Sequence, residues 1–152
     1  MENLRTKVLT GVSGEYYVAA ELSRRGYLAS ITLHNTKGID ILCSNADATK
    51  SVGIQVKTGS DLRRVWILSQ KGDHYHADNL FYVFVNLDDD VNTKPEFTVV
   101  PSKVVADYIR TRHEEWLKGT KRDGTARKDF SMRIFRDLEE HYLNRWELLG
   151  LD

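Results

Sequence analysis

Apolar and polar residues alternate along 51–58, where Val52, Ile54 and Val56 recur at period two and Gly53, Gln55 and Lys57 face the other way. That pattern predicts a strand with one buried and one polar face. Upstream, Val12, Tyr16, Ala19, Ala20 and Leu22 recur close to helical spacing within 10–25, with Thr10 or Ser13 available as a cap and Gly26 as a stop, so a first helix is expected there. Residues 27–35 are rich in strand formers and 38–44 alternate more clearly, which predicts two strands pairing through a turn at 35–38. Further strands are expected at 65–69 and 80–87, the second so uniformly apolar that it should be central and covered on both faces.

A short strand at 97–100 ends at Pro101, and 102–118 reads as a helix with Val104, Val105, Tyr108, Ile109 and Trp116 on one broad side, Ser102 as its cap and Gly119 as its stop. Residues 118–128 are polar, basic and glycine-containing, the marks of a surface loop. From Asp129 onward, Leu138, Tyr142, Arg145, Trp146 and Leu149 suit a terminal amphipathic helix packing back on the sheet. No internal repeat is visible. This order predicts one α/β domain over 1–152, with a mixed central sheet flanked by helices and a helical extension over about 120–152.

Composition narrows the class. A length of 152 residues, 41% hydrophobic and 29% charged, suits a fully folded domain. The single cysteine, Cys43, rules out an internal disulfide and any cysteine-pair zinc site, which fits a reducing cytoplasm. No stretch approaches the roughly 20 apolar residues that cross a bilayer, and the first residues lack a signal-peptide core, so a soluble cytoplasmic protein is expected. Lysine plus arginine and aspartate plus glutamate both number 22, a formal net charge of +0, so any nucleic-acid contact must be local.

Candidate chemistry gathers between Gly38 and Lys57. Gln55 and Lys57 project from one face, roughly 6–7 Å apart along a strand rising about 3.3 Å per residue. If the 38–44 strand is their antiparallel neighbour, Asp40 sits beside Gln55. A divalent cation could then bridge the Asp40 carboxylate, the Gln55 side-chain oxygen and the Val56 carbonyl. Hard oxygen donors favour Mg²⁺ or Mn²⁺, with waters completing the octahedron.

Gly14-Glu15 on a helix, Gly38-Ile39-Asp40 on a strand and Gln55-Val56-Lys57 on the next resemble the ordered signature of the PD-(D/E)XK nuclease superfamily. The similarity is greatest to the Holliday junction resolvase-like and methyl-directed restriction-type branch, where a QxK variant occurs. The match spans Gly11 to Gly59, and the segment after Gly119 does not map onto it. The resemblance implies a restriction endonuclease-like αβββαβ core and a Mg²⁺- or Mn²⁺-dependent endonuclease hydrolysing DNA phosphodiesters. It further implies Asp40 as main metal ligand, Gln55 as accessory ligand, Glu15 acting through water or completing the acidic site, and Lys57 orienting or deprotonating the attacking water. Gln55 departs from the pattern, being neutral where many members carry an acid. A catalytically weak module that binds nucleic acid or a protein partner is therefore the alternative, as is a homodimer or a subunit of a larger restriction, defence or repair complex.

Other features read more blandly. Arg63 and Arg64 follow the Lys57 strand and are either contacts to phosphates flanking the cut or solvated loop charges. His74 and His76 lack a third clustered ligand and read as loop residues, His113 and Trp116 as a packing pair, and Asp88-Asp89-Asp90 as a solvated hairpin tip. Trp66, Phe81, Tyr82 and Phe84 read as core.

Overall fold

The computed structural model describes residues 6–33, 37–60 and 63–152. Helix α1 (Lys7–Arg24) starts earlier than the periodicity suggests: Thr6, rather than Thr10 or Ser13, is the cap, its hydroxyl accepting the Leu9 amide at 3.2 Å. The early start carries no hydrophobic signal because Val8 and Leu9 are exposed. The helix ends where Gly26, at φ +89°, donates to the Ser23 carbonyl while Tyr27 reaches back to that of Leu22, a paired closure needing the left-handed backbone glycine allows.

Strands β1 (Leu28–Ile31), β2 (Ile41–Ser44), β3 (Ser51–Gly59), β5 (Leu80–Asn86) and β6 (Glu96–Pro101) form one mixed sheet in the order β1-β2-β3-β5-β6. The pairings are antiparallel except β3 with β5, which run parallel. The expected β1–β2 pairing is present, although residues 35 and 36 of the expected turn lie outside the described residues. Every residue of β5 is buried, as its apolar run requires of a strand covered on both faces. Between β3 and β5 the chain crosses over through β4 (Val65–Ser69) and a 3-10 segment (Gln70–His74).

Each face of the sheet carries its own core. On one, Val18 and Leu22 of α1 cover Val52, Ile54 and Val56, and Trp146, Leu149 and Leu151 complete the layer. On the other, Val105 and Ile109 of α2 (Ser102–Leu117) pack with Tyr82 and Phe84, joined by Trp66, Leu68 and Phe135. Phe84 stacks on Phe135 with ring centroids 4.7 Å apart. Ser102 does not cap α2: Pro101 holds that position, and the Ser102 hydroxyl bonds the amide and carbonyl of Ala77, tying α2 to the loop before β5. His113 and Trp116 stack at 5.7 Å, the packing pair their spacing implies.

The helical extension expected over about 120–152 does not form. Met132–Arg136 is instead strand β7, pairing antiparallel with β4 in a separate two-stranded ribbon. Glu140 and Asn144 then adopt φ of +59° and +55°, which no α-helix tolerates, and only a 3-10 segment (Trp146–Leu149) follows. The apolar residues that suggest a helix still dock: Trp146 lies 5.5 Å from Phe97 and holds the Arg25 guanidinium over its ring. Among the described residues no helix is long and apolar enough to cross a membrane.

Candidate active site

Strands β2 and β3 part company at Asp40. The Asp40 amide donates to the Ile54 carbonyl at 2.8 Å, the last rung before the chain turns away through Gly38, at φ +71°. Beyond that rung β3 pairs only with β5, leaving a fork along its other side. Backbone direction alternates along β3. Gly53 donates toward β5 at Asn79 and Gly59 accepts from Leu87, whereas Ile54 faces β2. The amide and carbonyl of Val56 therefore both open into the fork. Asp40 Oδ2 accepts the Val56 amide hydrogen at 2.7 Å, which locks the carboxylate there. The Asp40 side chain thus meets β3 at Val56, the residue after Gln55.

Gln55 and Lys57 project away from α1, both half-buried, into a cavity of about 530 Å³ that Lys37, Lys71, Tyr75 and Tyr82 also line. Glu15 comes from the other layer. It follows Gly14, which packs so closely on β3 that a Cβ there would overlap the Thr58 hydroxyl. Glu15 is thus held, half-buried, on the turn of α1 docked against Thr58 of β3, on the face of the sheet opposite the cavity that Gln55 and Lys57 line. The Asp40 carboxylate and the Val56 carbonyl face the fork and Gln55 lines the adjoining cavity; carboxylate, carbonyl and amide oxygens are the hard donors Mg²⁺ or Mn²⁺ takes. Among the described residues, three or more His, Cys, Asp or Glu nowhere gather into a group that could hold a metal ion.

Two residues without a local sequence signal brace the aspartate. Thr32 donates its hydroxyl to the Ile39 carbonyl at 2.6 Å, and the Tyr75 hydroxyl donates to the Gly38 carbonyl. Tyr75 fills the space a Cβ on Gly38 would need, so glycine is required there for contact as well as for φ. Burial, and then the nearby Asp40 charge, push the Tyr75 phenol above its ordinary range. Its part depends on the 3-10 segment folding back over β3, a contact across the sequence that no periodicity reveals.

The arginines fare differently. Arg63 is exposed, but Arg64 is turned inward, its guanidinium 3.2 Å from Glu96 and 3.0 Å from Glu140. Arg64 is committed to bracing the end of β4. His74 and His76 are exposed, in keeping with a loop role.

This architecture is a restriction endonuclease-like α/β fold. It is similar to the bacterial homing endonuclease I-Ssp6803I, with a TM-score of 0.57 and 12% identity over 96% of this chain and 92% of that one. It is also similar to Hjc, a Holliday junction resolvase from Archaeoglobus fulgidus, an archaeal hyperthermophile, with a TM-score of 0.54 and 11% identity over 93% of this chain and 97% of that one. No family model matches the sequence, and no curated protein does.

Proposed function

We propose that this protein is a Mg²⁺- or Mn²⁺-dependent endonuclease that hydrolyses phosphodiester bonds in DNA, with Asp40, Gln55, Lys57 and Glu15 as its working residues. The observation that carries the reading is the Asp40 carboxylate fixed on the Val56 amide, between Gln55 and Lys57, the two β3 residues that line the neighbouring cavity. Asp40, the Gln55 amide oxygen and the Val56 carbonyl would hold the ion, with Glu15 reaching it through water. A bound ion would lower the pKa of its water and offset charge on the phosphate oxygens. Lys57 orients the attacking water and stabilises charge developing on the phosphoryl group. Asp40 stays aligned because the Val56 amide, which needs no reorganisation, holds one of its oxygens.

The test is purified protein incubated with supercoiled plasmid, branched DNA and single-stranded DNA, with Mg²⁺ or Mn²⁺ and with EDTA. Metal-dependent cleavage of any substrate that Asp40→Ala and Lys57→Ala abolish supports the reading, and absence of cleavage on all three overturns it.

Gln55 favours a second reading, a nuclease-fold module that binds DNA or a protein partner without cutting. Calorimetry with Mn²⁺ separates the two, since an inert relative shows no binding that depends on Asp40. Pairing into a homodimer, or assembly into a restriction, defence or repair complex, would supply the second site that cutting both strands requires; light scattering coupled to gel filtration tests the homodimer.

A further inference from the structure

Among the described residues, most ion pairs of arginine and lysine lie away from the fork. Arg24 and Arg25 share Glu21, Lys103 and Arg110 share Asp107, Arg145 meets Glu147, and Arg64 lies between Glu96 and Glu140. The cavity beside Gln55 and Lys57 gathers Lys37, Lys57 and Lys71 in one lining. Lys37 enters from the turn before Asp40 and Lys71 from the 3-10 segment, and both are exposed with no ion pair among the described residues. Asp73, the carboxylate nearest Lys71 in sequence, is withdrawn, its two oxygens held by Arg133 at 3.0 and 2.9 Å. Among the described residues no carboxylate lines this cavity. The described lining of the cavity that adjoins the proposed chemistry thus carries three lysines and no carboxylate, with the Asp40 charge near its Tyr75 wall.

A concave site with three ammonium groups and no acid among its described lining suits a polyanion. Resting on the endonuclease reading, we infer that Lys37 and Lys71 hold the phosphates flanking the scissile one, so that the cleaved strand lies over the cavity these lysines line. Arg64, which its position in the sequence suggests for this task, is taken by two glutamates. Lys37 and Lys71 act as point charges on flexible stems, which position a backbone without reading bases.

The experiment measures affinity of the full chain for a fluorescein-labelled DNA duplex in EDTA, over a range of KCl concentrations. Removing one lysine–phosphate pair should flatten the plot of log K against log [KCl] by about 0.9, so Lys37→Met with Lys71→Met should flatten it by about 1.8. Methionine keeps the apolar stem and removes only the charge. Lys37→Gln with Lys71→Gln repeats the measurement on a polar background, should the methionines impair folding. Lys94→Met, outside the cavity, should leave the slope unchanged. Slopes for the Lys37 and Lys71 variants parallel to wild type, or matched by Lys94→Met, overturn the assignment while leaving the endonuclease reading standing. A wild-type chain that binds no DNA overturns both.

Discussion

The Asp40 carboxylate and the Val56 amide are joined across the opening between β2 and β3, Oδ2 accepting the hydrogen at 2.7 Å where a further strand rung would otherwise form. A side chain thus replaces backbone pairing at the point where the sheet must open. Asp40→Ala should leave that amide without its acceptor, lower stability by about 1–2 kcal/mol and abolish cleavage. Asp40→Asn retains an acceptor oxygen and should cost less than about 1 kcal/mol, yet be equally inactive. Urea unfolding beside plasmid nicking separates the two effects; Asp40→Asn with wild-type activity would exclude a role for the charge.

Gln55→Glu adds a carboxylate to the fork. Replacing a neutral oxygen donor by a charged one should tighten Mn²⁺ binding about fivefold to tenfold, equivalent to about 1 kcal/mol of added attraction at a partly screened site. Isothermal titration measures it, and unchanged affinity would place the ion elsewhere.

The Tyr75 phenol keeps its proton above the usual range, first because of burial and then because of Asp40. A raised folded-state pKa means the associated stability is fully present below pH 10, the unfolded value, and is lost as pH rises through the higher folded one. Removing the Asp40 charge by Asp40→Asn should bring the Tyr75 titration back toward pH 10. NMR of ring-labelled tyrosine, with Tyr75→Phe to assign the signal, reads the shift. A Tyr75 titration indifferent to Asp40→Asn would show that the two do not sense one another.

Gly14→Ala probes the seat of α1. Alanine favours a helix interior by about 1 kcal/mol over glycine, but its Cβ would overlap the Thr58 hydroxyl, so a net loss of about 1–3 kcal/mol is expected. Thr58→Ala should recover part of that loss in the double variant, since the hydroxyl is the nearest obstruction. Thermal melts of the four proteins close the cycle, and additive losses would rule out the contact.

How far the sequence discloses this arrangement depends on how local each signal is. Period two in β3 is local, and it places Gln55 and Lys57 on one face, as the fold does. β7 escapes such a reading because its buried positions are Arg133 and Phe135: an arginine reads as polar and hides the alternation. Arg133 is tolerated there through its pair with Asp73 on a distant segment and its bonds to the Phe130 and Met132 carbonyls. The inward turn of Arg64 likewise depends on Glu96 and Glu140, which only the folded chain brings near. Glu15 is legible as a residue of the first helix, but its approach from the opposite layer is not.

Ser69, on one wall of the cavity beside Lys57, is held by Met132 across the β4–β7 ribbon. β5, β6 and α2 all intervene in the chain between those two strands. During synthesis the acid, amide and lysine leave the ribosome early, but the groove that would cradle a nucleic-acid strand stays unfinished until β7 arrives and clamps β4. A nascent chain therefore presents Asp40, Gln55 and Lys57 well before the cavity wall at Ser69 has its β7 partner, and the last strand to be made completes that wall.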